Sequence, residues 1–312
     1  MDHTARSANV ADDSGDSPSA SLMQRDGKGI GTARPRHELW SRFRSNRSAM
    51  VGAVIIAVLC LVALLAPVIA IHPYAQQNLL QSLDPPFTPG YPLGTDEFGR
   101  DVFSRLVWGS QVSLKIGVIV TGVSMVIGVT IGCISGFYGG SVDLLLSSLM
   151  DLVWAFPLIL VALLIVTIIG PGINGAMIAT GLVAWAGFAR IVRGEVLALR
   201  DRTFVVAARS IGAGNARVIV RHIFPNIIGP VLVMASFIMA TAVVIEASLS
   251  FFGLGAQPPT PSWGAMLNDG RQYINRAYWL SVFPGLAIAI LVLGFNIFGD
   301  GLRDVFDPRM RN

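Results

Sequence analysis

Long uncharged apolar runs recur along the chain and predict membrane-spanning helices. The run from Ala49 to Ile71 contains no Asp, Glu, Lys or Arg. As an α-helix with a rise of about 1.5 Å per residue, it is long enough to cross a hydrocarbon core of about 30 Å. Four further uncharged runs cover residues 116–142, 152–189, 227–245 and 277–299. The pattern therefore predicts an all-α integral membrane protein.

The run over residues 152–189 is too long for one crossing. The sequence GPGING interrupts it at Gly170–Gly175, and such glycine and proline clusters mark turns. Dividing the run there gives six transmembrane helices within residues 49–300. The predicted spans cover residues 49–71, 113–137, 144–169, 173–190, 226–248 and 279–299.

Composition supports a membrane protein and sets the N-terminal region apart. The 312 residues are 53% hydrophobic and 13% charged, whereas globular domains average about 25% charged residues. Residues 1–36 are polar and rich in Ser, Asp and Arg, which predicts a disordered tail. Residues 37–48 combine Trp40 and Phe43 with arginines, which favours an amphipathic helix on the membrane surface. A plain flank of positive charge before the first span is the alternative.

The distribution of positive charge predicts the orientation. Of the 23 Lys and Arg residues, eight lie in residues 1–48, seven in residues 190–225 and three after Gly301. Loops that remain in the cytoplasm carry the excess of Lys and Arg. We therefore expect both termini, including a tail over residues 301–312, on the cytoplasmic side of the inner (plasma) membrane. The segment of residues 190–225 is expected on the same side.

The segment of residues 203–225 reads TFVVAARSIGAGNARVIVRHIFP. Its pattern predicts two short helices, over residues 203–211 and 215–224, joined by the glycines of GAG and limited by Pro225. Three interpretations are open: a DNA-binding helix-turn-helix, a structural cap over the helix bundle, and a docking helix for a cytoplasmic partner. Attachment to the membrane at both ends argues against the first, and hence against a nucleic-acid partner.

This segment also resembles the cytoplasmic loop signature of ABC importer permeases. The signature is Glu-Ala-Ala, three residues, Gly, nine residues, then Ile-x-Leu-Pro. This sequence departs from it at two positions, where Val206 replaces the Glu and His222 replaces the Ile. The resemblance implies a coupling helix that fits a cleft in an ATPase subunit. The implied coupling residues are Val206, Ala207, Ala208, Arg209, Gly212, Arg217, Arg221, Phe224 and Pro225.

Residues 93–114, 250–267 and 296–309 are similar to the C-type permeases of the peptide, nickel and glutathione ABC importers, dipeptide permeases above all. The resemblance implies a type I ABC importer permease fold and the import of dipeptides or short peptides, with glutathione, nickel or another small solute as alternatives. The implied partners are a second permease in a heterodimer, two ABC ATPase subunits, a periplasmic or extracellular solute-binding protein, and membrane lipid. ATP and Mg would be bound by the ATPase subunits, and this chain would bind no cofactor.

The sequence does not indicate catalysis by this chain. A Walker A loop requires Gly-Lys-Ser/Thr, but Lys28 is followed by Gly and Lys115 by Ile. The four histidines are scattered, and Cys60 and Cys133 lie inside apolar runs. We therefore expect a transport subunit that is not an enzyme and has no metal site.

Two acidic residues, Asp151 and Glu246, fall within or close to the predicted spans. Intramembrane charge is costly and tends to mark function, so both are candidates for the pathway or gate. The alternatives are an interfacial cap or inter-subunit hydrogen bond for Glu246, and a structural role near the inner surface for Asp151. The scarcity of such charges argues against an ion-coupled secondary carrier.

Two local patterns predict packing and capping. Gly128, Gly132 and Gly136 recur every fourth residue and place a smooth stripe on one helix face, which favours close helix packing in lipid. In the loop after the first predicted span, Asp96 and Asp101 are expected to cap turns or helix starts. Together with Glu97 they do not have the spacing of a calcium-binding loop, which argues against a calcium site.

Overall fold

A computed structural model describes residues 36–306, with side chains described from Trp40 onward, and its regular structure in that range is helical. In chain order the α-helices are α1 (Arg36–Ser45), α2 (Arg47–Leu64), α3 (Ala66–Ile69), α4 (Val102–Tyr138), α5 (Gly140–Trp154), α6 (Leu158–Ile169), α7 (Ile173–Leu199), α8 (Thr203–Ser210), α9 (Asn215–Val218), α10 (Phe224–Phe251), α11 (Trp263–Arg271) and α12 (Trp279–Phe306). A 3₁₀ turn covers Leu79–Gln81, and a π-helical turn covers Ile219–Ile223. The predicted tail over residues 1–36 lies outside the described residues except for residue 36, and α12 extends into the predicted tail over residues 301–312.

Within residues 36–306, five helices are long and apolar enough to cross a membrane: α2, α4, α7, the continuous helix Asn215–Phe251, and α12. A sixth crossing requires α5 and α6 together, and these two helices meet at a bend of 88°. The prediction of an all-helical membrane protein is confirmed, with five or six spans. The helix bounds differ from the predicted spans, since α2 ends at Leu64 rather than near Ile71 and α4 begins at Val102 rather than near residue 113.

Prolines and an N-cap explain these differences. Pro67 and Pro157 lie where α2 and α5 would otherwise continue. A proline lacks the N–H that the helix needs and clashes with the carbonyl four residues before it. The third predicted span is therefore broken at residues 155–157, where Pro157 has the extended ψ of 121°. The early start of α4 follows from Asp101, whose carboxylate accepts the N–H groups of Phe103 and Ser104 at 3.2 and 3.1 Å.

The glycine stripe of α4 lies against α7, as the sequence predicted. A Cβ added to Gly128 would overlap the Cβ of Phe188, and one added to Gly132 would lie 2.6 Å from the Ala189 carbonyl oxygen. Gly136 faces the carbonyl of Arg193 in the same way, at 2.8 Å. The two backbones therefore touch along about two turns of helix, a distance that a larger side chain would not allow.

The first and last long helices pack on each other at one end of the bundle. Asn46 caps α2 by accepting the Ala49 N–H at 2.9 Å, and it donates to the Asp304 carboxylate in the last turns of α12 at 3.1 Å. A Cβ on Gly301 would overlap the backbone of Ala49. The start of α2 and the end of α12 therefore lie at the same end of the protein.

We expect the Gly128→Ala variant to be less stable than the parent protein. The added methyl group overlaps α7, and such overpacking typically costs about 1–3 kcal/mol. Gly122→Ala is the matched control in the same helix, because a Cβ there meets nothing within 4 Å. Thermal unfolding in detergent should show a lower midpoint for Gly128→Ala and an unchanged or higher one for Gly122→Ala. Equal losses in the two variants would contradict the packing account.

Candidate coupling site

The two short helices and the glycine turn predicted for the segment of residues 203–225 are present. Helix α8 ends where the Ile211 N–H donates to the Ala207 carbonyl at 3.2 Å. The chain then reverses at Gly212, which has a φ of +84° and donates its N–H to the Arg209 carbonyl at 2.9 Å. A positive φ at a helix C-terminus is the conformation that glycine adopts most readily.

The second helical piece does not end at Pro225 as predicted. Helix α9, the π-helical turn Ile219–Ile223 and α10 form one continuous helix, Asn215–Phe251. The wider π turn ends at Ile223, two residues before Pro225, where a regular α-helix would lose one hydrogen bond and meet the proline ring. The Asn226 side-chain amide donates to the His222 carbonyl at 2.6 Å. Residues 215–225 are therefore a direct extension of a membrane-spanning helix. We call the whole segment of residues 203–225 the coupling segment, after its proposed role.

The two predicted docking alanines face different directions. Ala208 is 5% exposed and packs with Val205, Val218 and Ile223 in the apolar cluster beneath the segment, whereas Ala207 is exposed. Beside them, the Arg209 guanidinium lies 4.6 Å from the centroid of the Phe137 ring near the end of α4. Ala208 and Arg209 thus attach the segment to the helix bundle.

A second group of residues faces solvent at the glycine turn. Ile211 is 86% exposed and Val206 is 51% exposed. An open surface depression is lined by Ile211, Gly212, Ala213, Arg217, Arg221 and His222. Of the predicted coupling residues, the structure therefore brings Gly212, Arg217 and Arg221 together here, whereas Phe224 and Pro225 are exposed but do not line the depression.

Ile211 was not identified from the sequence as part of this surface. An isoleucine at the end of a short helix, directly before a glycine turn, carries a weak sequence signal because the same residue could equally pack inward. His222 was noted only as a departure from the family signature, yet its side chain lines the depression.

The helices that lead into the segment are fixed by ion pairs. Arg193 of α7 forms two hydrogen bonds to the Asp143 carboxylate of α5, at 2.5 and 2.7 Å, and Ser135 of α4 donates to the same carboxylate at 2.5 Å. The Arg200 guanidinium donates to the Gly136 carbonyl at 3.2 Å. These contacts join α4, α5 and α7 beside the point where the coupling segment begins.

The two acidic residues proposed for the pathway are not brought together. Glu246 is fully buried, and its Oε1 accepts the Ser250 hydroxyl at 2.7 Å, while its Oε2 has no partner among the described residues. The Asp151 side chain is 72% exposed and accepts from Arg190 at 2.6 Å. The Arg190 guanidinium also lies 4.8 Å from the Trp154 ring centroid. A pathway or gate role for either residue stays a prediction.

The loop before α4 contains a buried charge cluster. Asp96 accepts the N–H groups of Phe98 and Arg100, both at 2.9 Å, and its carboxylate pairs with the Arg100 guanidinium at 2.5 Å. Asp101 caps α4 as described above, so the predicted capping roles of Asp96 and Asp101 are confirmed. Burial raises the pKa of the nearby Glu97 carboxyl, and the charge of Asp96 raises it further. Burial likewise raises the pKa of Asp269 in α11, which lines a small cavity together with Asp96 and Glu97.

Family profiles match most of this fold. The profile described as a binding-protein-dependent transport system inner membrane component matches residues 128–312. The profile described as the N-terminal TM domain of oligopeptide transport permease C matches residues 34–86. Across the described residues, no group of three or more His, Cys, Asp or Glu side chains is placed to hold a metal ion.

Curated relatives cover nearly the whole chain. The dipeptide transport system permease protein DppC of Alkalihalophilus pseudofirmus is 42% identical over 89% of this chain and 91% of the relative. The oligopeptide transport system permease protein OppC of Bacillus subtilis is 40% identical over 86% of this chain and 88% of the relative. The glutathione transport system permease protein GsiD of Escherichia coli is 42% identical over 89% of this chain and 91% of the relative.

A solved structure agrees in fold. The MetNI methionine ABC transporter in an inward-facing conformation matches 65% of this chain and 97% of its own chain, with a TM-score of 0.56 and 20% identity. Helix order and helix packing thus agree with the fold of an ABC transporter's membrane subunit. The chain belongs to the family of inner-membrane permease components of binding-protein-dependent ABC transport systems, and it is a non-catalytic subunit.

Replacing Gly212 by Ala should loosen the turn locally. An L-residue held at a φ of +84° is disfavoured by about 1 kcal/mol relative to glycine. We expect the amides of residues 211–213 to exchange with solvent about fivefold faster, as that free energy implies. Gly214→Ala is the matched control, because Gly214 has a φ of −67° and a Cβ there also meets open space. Unchanged exchange in Gly212→Ala would contradict the assigned turn.

The raised pKa values of Glu97 and Asp269 predict that the loop over residues 94–101, which packs beside α11, becomes less stable as the pH rises. A carboxyl whose folded-state pKa lies above its unfolded value stabilises the fold below the unfolded pKa, and that contribution is lost as the pH rises through the folded pKa. For Glu97 the loss begins above its ordinary value of 4.5. Hydrogen exchange of residues 94–101, corrected for intrinsic rates, should show falling protection with rising pH. Glu97→Gln should reduce this dependence, and rising protection would contradict the assignment.

Proposed function

We propose that this chain is the permease subunit of an ATP-driven importer of dipeptides or short peptides. It forms the translocation pathway with a second, related permease, and two ABC ATPase subunits bind the coupling segments. A solute-binding protein delivers the peptide from outside. The observation that carries the proposal is the exposed surface around Ile211 and Gly212, which adjoins the first turns of the membrane-spanning helix Asn215–Phe251 and shares a depression with Arg217 and Arg221 of that helix.

The continuity of that helix supports a direct mechanical coupling. An ATPase that binds the depression contacts Arg217 and Arg221, which lie on the continuous helix Asn215–Phe251. Movement of this surface displaces α10 without an intervening flexible loop. Closure of the ATPase pair on ATP would thereby shift the bundle between inward-facing and outward-facing states, since ligand binding biases a two-state equilibrium by its differential affinity.

The arrangement of the helix ends supports a cytoplasmic location for the coupling segment and both termini. The start of α2 and the end of α12 share one end of the bundle through the hydrogen bond of Asn46 to Asp304. Gly229, near the start of α10, faces the end of α12, since a Cβ added to it would lie 3.0 Å from the Phe306 ring. The described parts of the three regions richest in Lys and Arg, around residues 41–47, 217–229 and 301–306, therefore lie at one end, as the positive-inside rule requires.

The relatives support a peptide substrate. Their names specify a dipeptide, an oligopeptide and glutathione, and glutathione is itself a peptide of three residues. Equal identity to the dipeptide and the glutathione permeases keeps glutathione as the second candidate substrate. ATP and Mg are assigned to the partner ATPase subunits.

The test is uptake by the reconstituted complex. Proteoliposomes that contain this chain, its second permease, the ATPase subunits and the binding protein should accumulate radiolabelled Ala-Ala only when ATP is supplied on the ATPase side. Uptake of glutathione in place of Ala-Ala would change the substrate assignment. Uptake that follows a proton gradient without ATP would contradict the importer function.

In the same vesicles, Ile211→Asp should reduce ATP-dependent uptake at least about tenfold, because a charge replaces an apolar contact at the centre of a docking surface. Ile211→Leu is the matched control and should transport normally. The amount of each variant in the membrane should equal that of the parent protein. Normal uptake by Ile211→Asp would show that this surface does not bind the ATPase.

A further inference from the structure

Two charged side chains and an aromatic ring are in direct contact between α5 and α7. The Arg190 guanidinium of α7 donates to the Asp151 carboxylate of α5 at 2.6 Å and lies 4.8 Å from the Trp154 ring centroid. The indole of Trp154 lies against α7, since a Cβ added to Gly187 would be 3.8 Å from its edge. These contacts join the three side chains into one surface. We call Asp151, Trp154 and Arg190 the α5–α7 cluster.

The α5–α7 cluster lies well inside the ends of α7, a helix long and apolar enough to cross a membrane. At 1.5 Å per residue, Arg190 is about 25 Å from the start of α7 at Ile173 and about 14 Å from its end at Leu199. Charged side chains at such a position almost always face the bundle interior or a water-filled cavity, because exposure to lipid is costly. We therefore expect this surface to face water within the assembled transporter.

The cluster adjoins a break in the backbone. Helix α5 ends at Trp154, and α6 begins at Leu158 with a change of direction of 88°. Non-helical backbone at membrane depth is tolerated where protein buries it or where it lines a water-filled cavity, and secondary transporters hold solutes at such broken helices. Pro157 precedes α6 and supplies no side-chain cap, so the positive end of the α6 dipole remains available to an anionic group.

The ion pair of the cluster can exchange its partners. The Arg190 and Asp151 side chains are 45% and 72% exposed, and exposed ion pairs contribute little to stability. A ligand with both an anionic and a cationic group can replace the bond between the two side chains by two new ones. A ligand with one charge would instead leave either Arg190 or Asp151 unpaired, which is costly away from bulk water. The cluster therefore favours a zwitterion.

We propose that the α5–α7 cluster is a subsite of the translocation pathway that binds the charged termini of a short peptide. The inference rests on the proposed function, which supplies the peptide. Arg190 binds the peptide carboxylate through its planar guanidinium, and Asp151 binds the ammonium group. Trp154 holds the guanidinium in place through its ring face. Because unmodified peptides carry both termini whatever their side chains are, this subsite suits the import of peptides of varied sequence.

Peptide binding by the assembled complex, without binding protein or ATP, isolates this subsite. The complex of both permeases and the ATPase subunits in lipid nanodiscs is titrated with Ala-Ala, and saturation-transfer NMR gives the dissociation constant. Arg190→Gln should raise this constant about tenfold, because a charge-assisted hydrogen bond is lost. The same substitution should not change the dissociation constant of Ala-Ala amide, which lacks the carboxylate. Equal increases for both ligands, or no increase for Ala-Ala, would overturn the proposal.

The opposite terminus gives an independent test. Asp151→Asn should weaken the binding of Ala-Ala but not of N-acetyl-Ala-Ala, which lacks the ammonium group. Asp201→Asn is the matched control, because it removes an exposed ion pair with Arg200 just after the end of α7. This variant should bind Ala-Ala as the parent complex does. Weaker binding of N-acetyl-Ala-Ala by Asp151→Asn, in parallel with Ala-Ala, would indicate a structural role and contradict the subsite.

The amount of second permease that copurifies distinguishes a solute subsite from a contact between the two permeases. Arg190→Gln should retain the second permease in the parent amount, and its loss would overturn the proposal by assigning the ion pair to the subunit interface. A parent complex that imports Ala-Ala in the uptake assay but does not bind it without binding protein would overturn the subsite alone. A parent complex that imports no peptide would instead overturn the proposed function.

Discussion

The contact between the backbones of α4 and α7 is the constraint on which the rest of the structure depends. Gly128 and Gly132 bring α4 so close to Phe188 and Ala189 that no side chain separates the two helices. In a membrane, where apolar side chains gain little by leaving lipid, such close packing is a main source of helix association. The same contact fixes where the C-terminal ends of both helices lie, and hence where Arg193 can reach Asp143.

This fixed pair of helices determines the position of the coupling segment. The segment begins just after α7 ends, and its buried side packs through Val205 and Ala208 on the cluster that includes Phe137 of α4. Its other end continues into α10 without interruption. One side of the segment is therefore attached to the central pair of helices and the other to a separate span, so a force on the exposed turn acts between them. This geometry supports the proposed coupling of ATP binding by partner subunits to a change in the bundle.

Features with strong periodic or steric signals could be predicted from the sequence. The helical spans, the packing role of Gly128 and the turn at Gly212 each follow from a requirement that few residue types satisfy. The cap at Asp101 belongs to the same group. Features that depend on tertiary contacts could not be predicted in this way. Whether Ala207 or Ala208 faces the bundle depends on the position of α4.

Two prolines with the same local chemistry show this limit. Pro157 breaks a predicted span, whereas Pro225 lies within a continuous helix because a π-helical turn precedes it. Sequence alone does not reveal which outcome the surrounding packing selects.

The most direct test of ATPase docking on the coupling segment is the accessibility of Ile211, beside the turn at Gly212, with and without bound ATPase. The chain has two cysteines, Cys60 and Cys133, so a background without them can carry a single cysteine at Ile211. In inside-out vesicles, a maleimide should alkylate this cysteine rapidly in the isolated chain and at least about tenfold more slowly once the ATPase subunits are bound, as expected for a buried interface position. A cysteine at Ala208, which is 5% exposed, should react slowly in both cases. Equal alkylation rates at position 211 with and without bound ATPase would show that the ATPase does not dock on this turn.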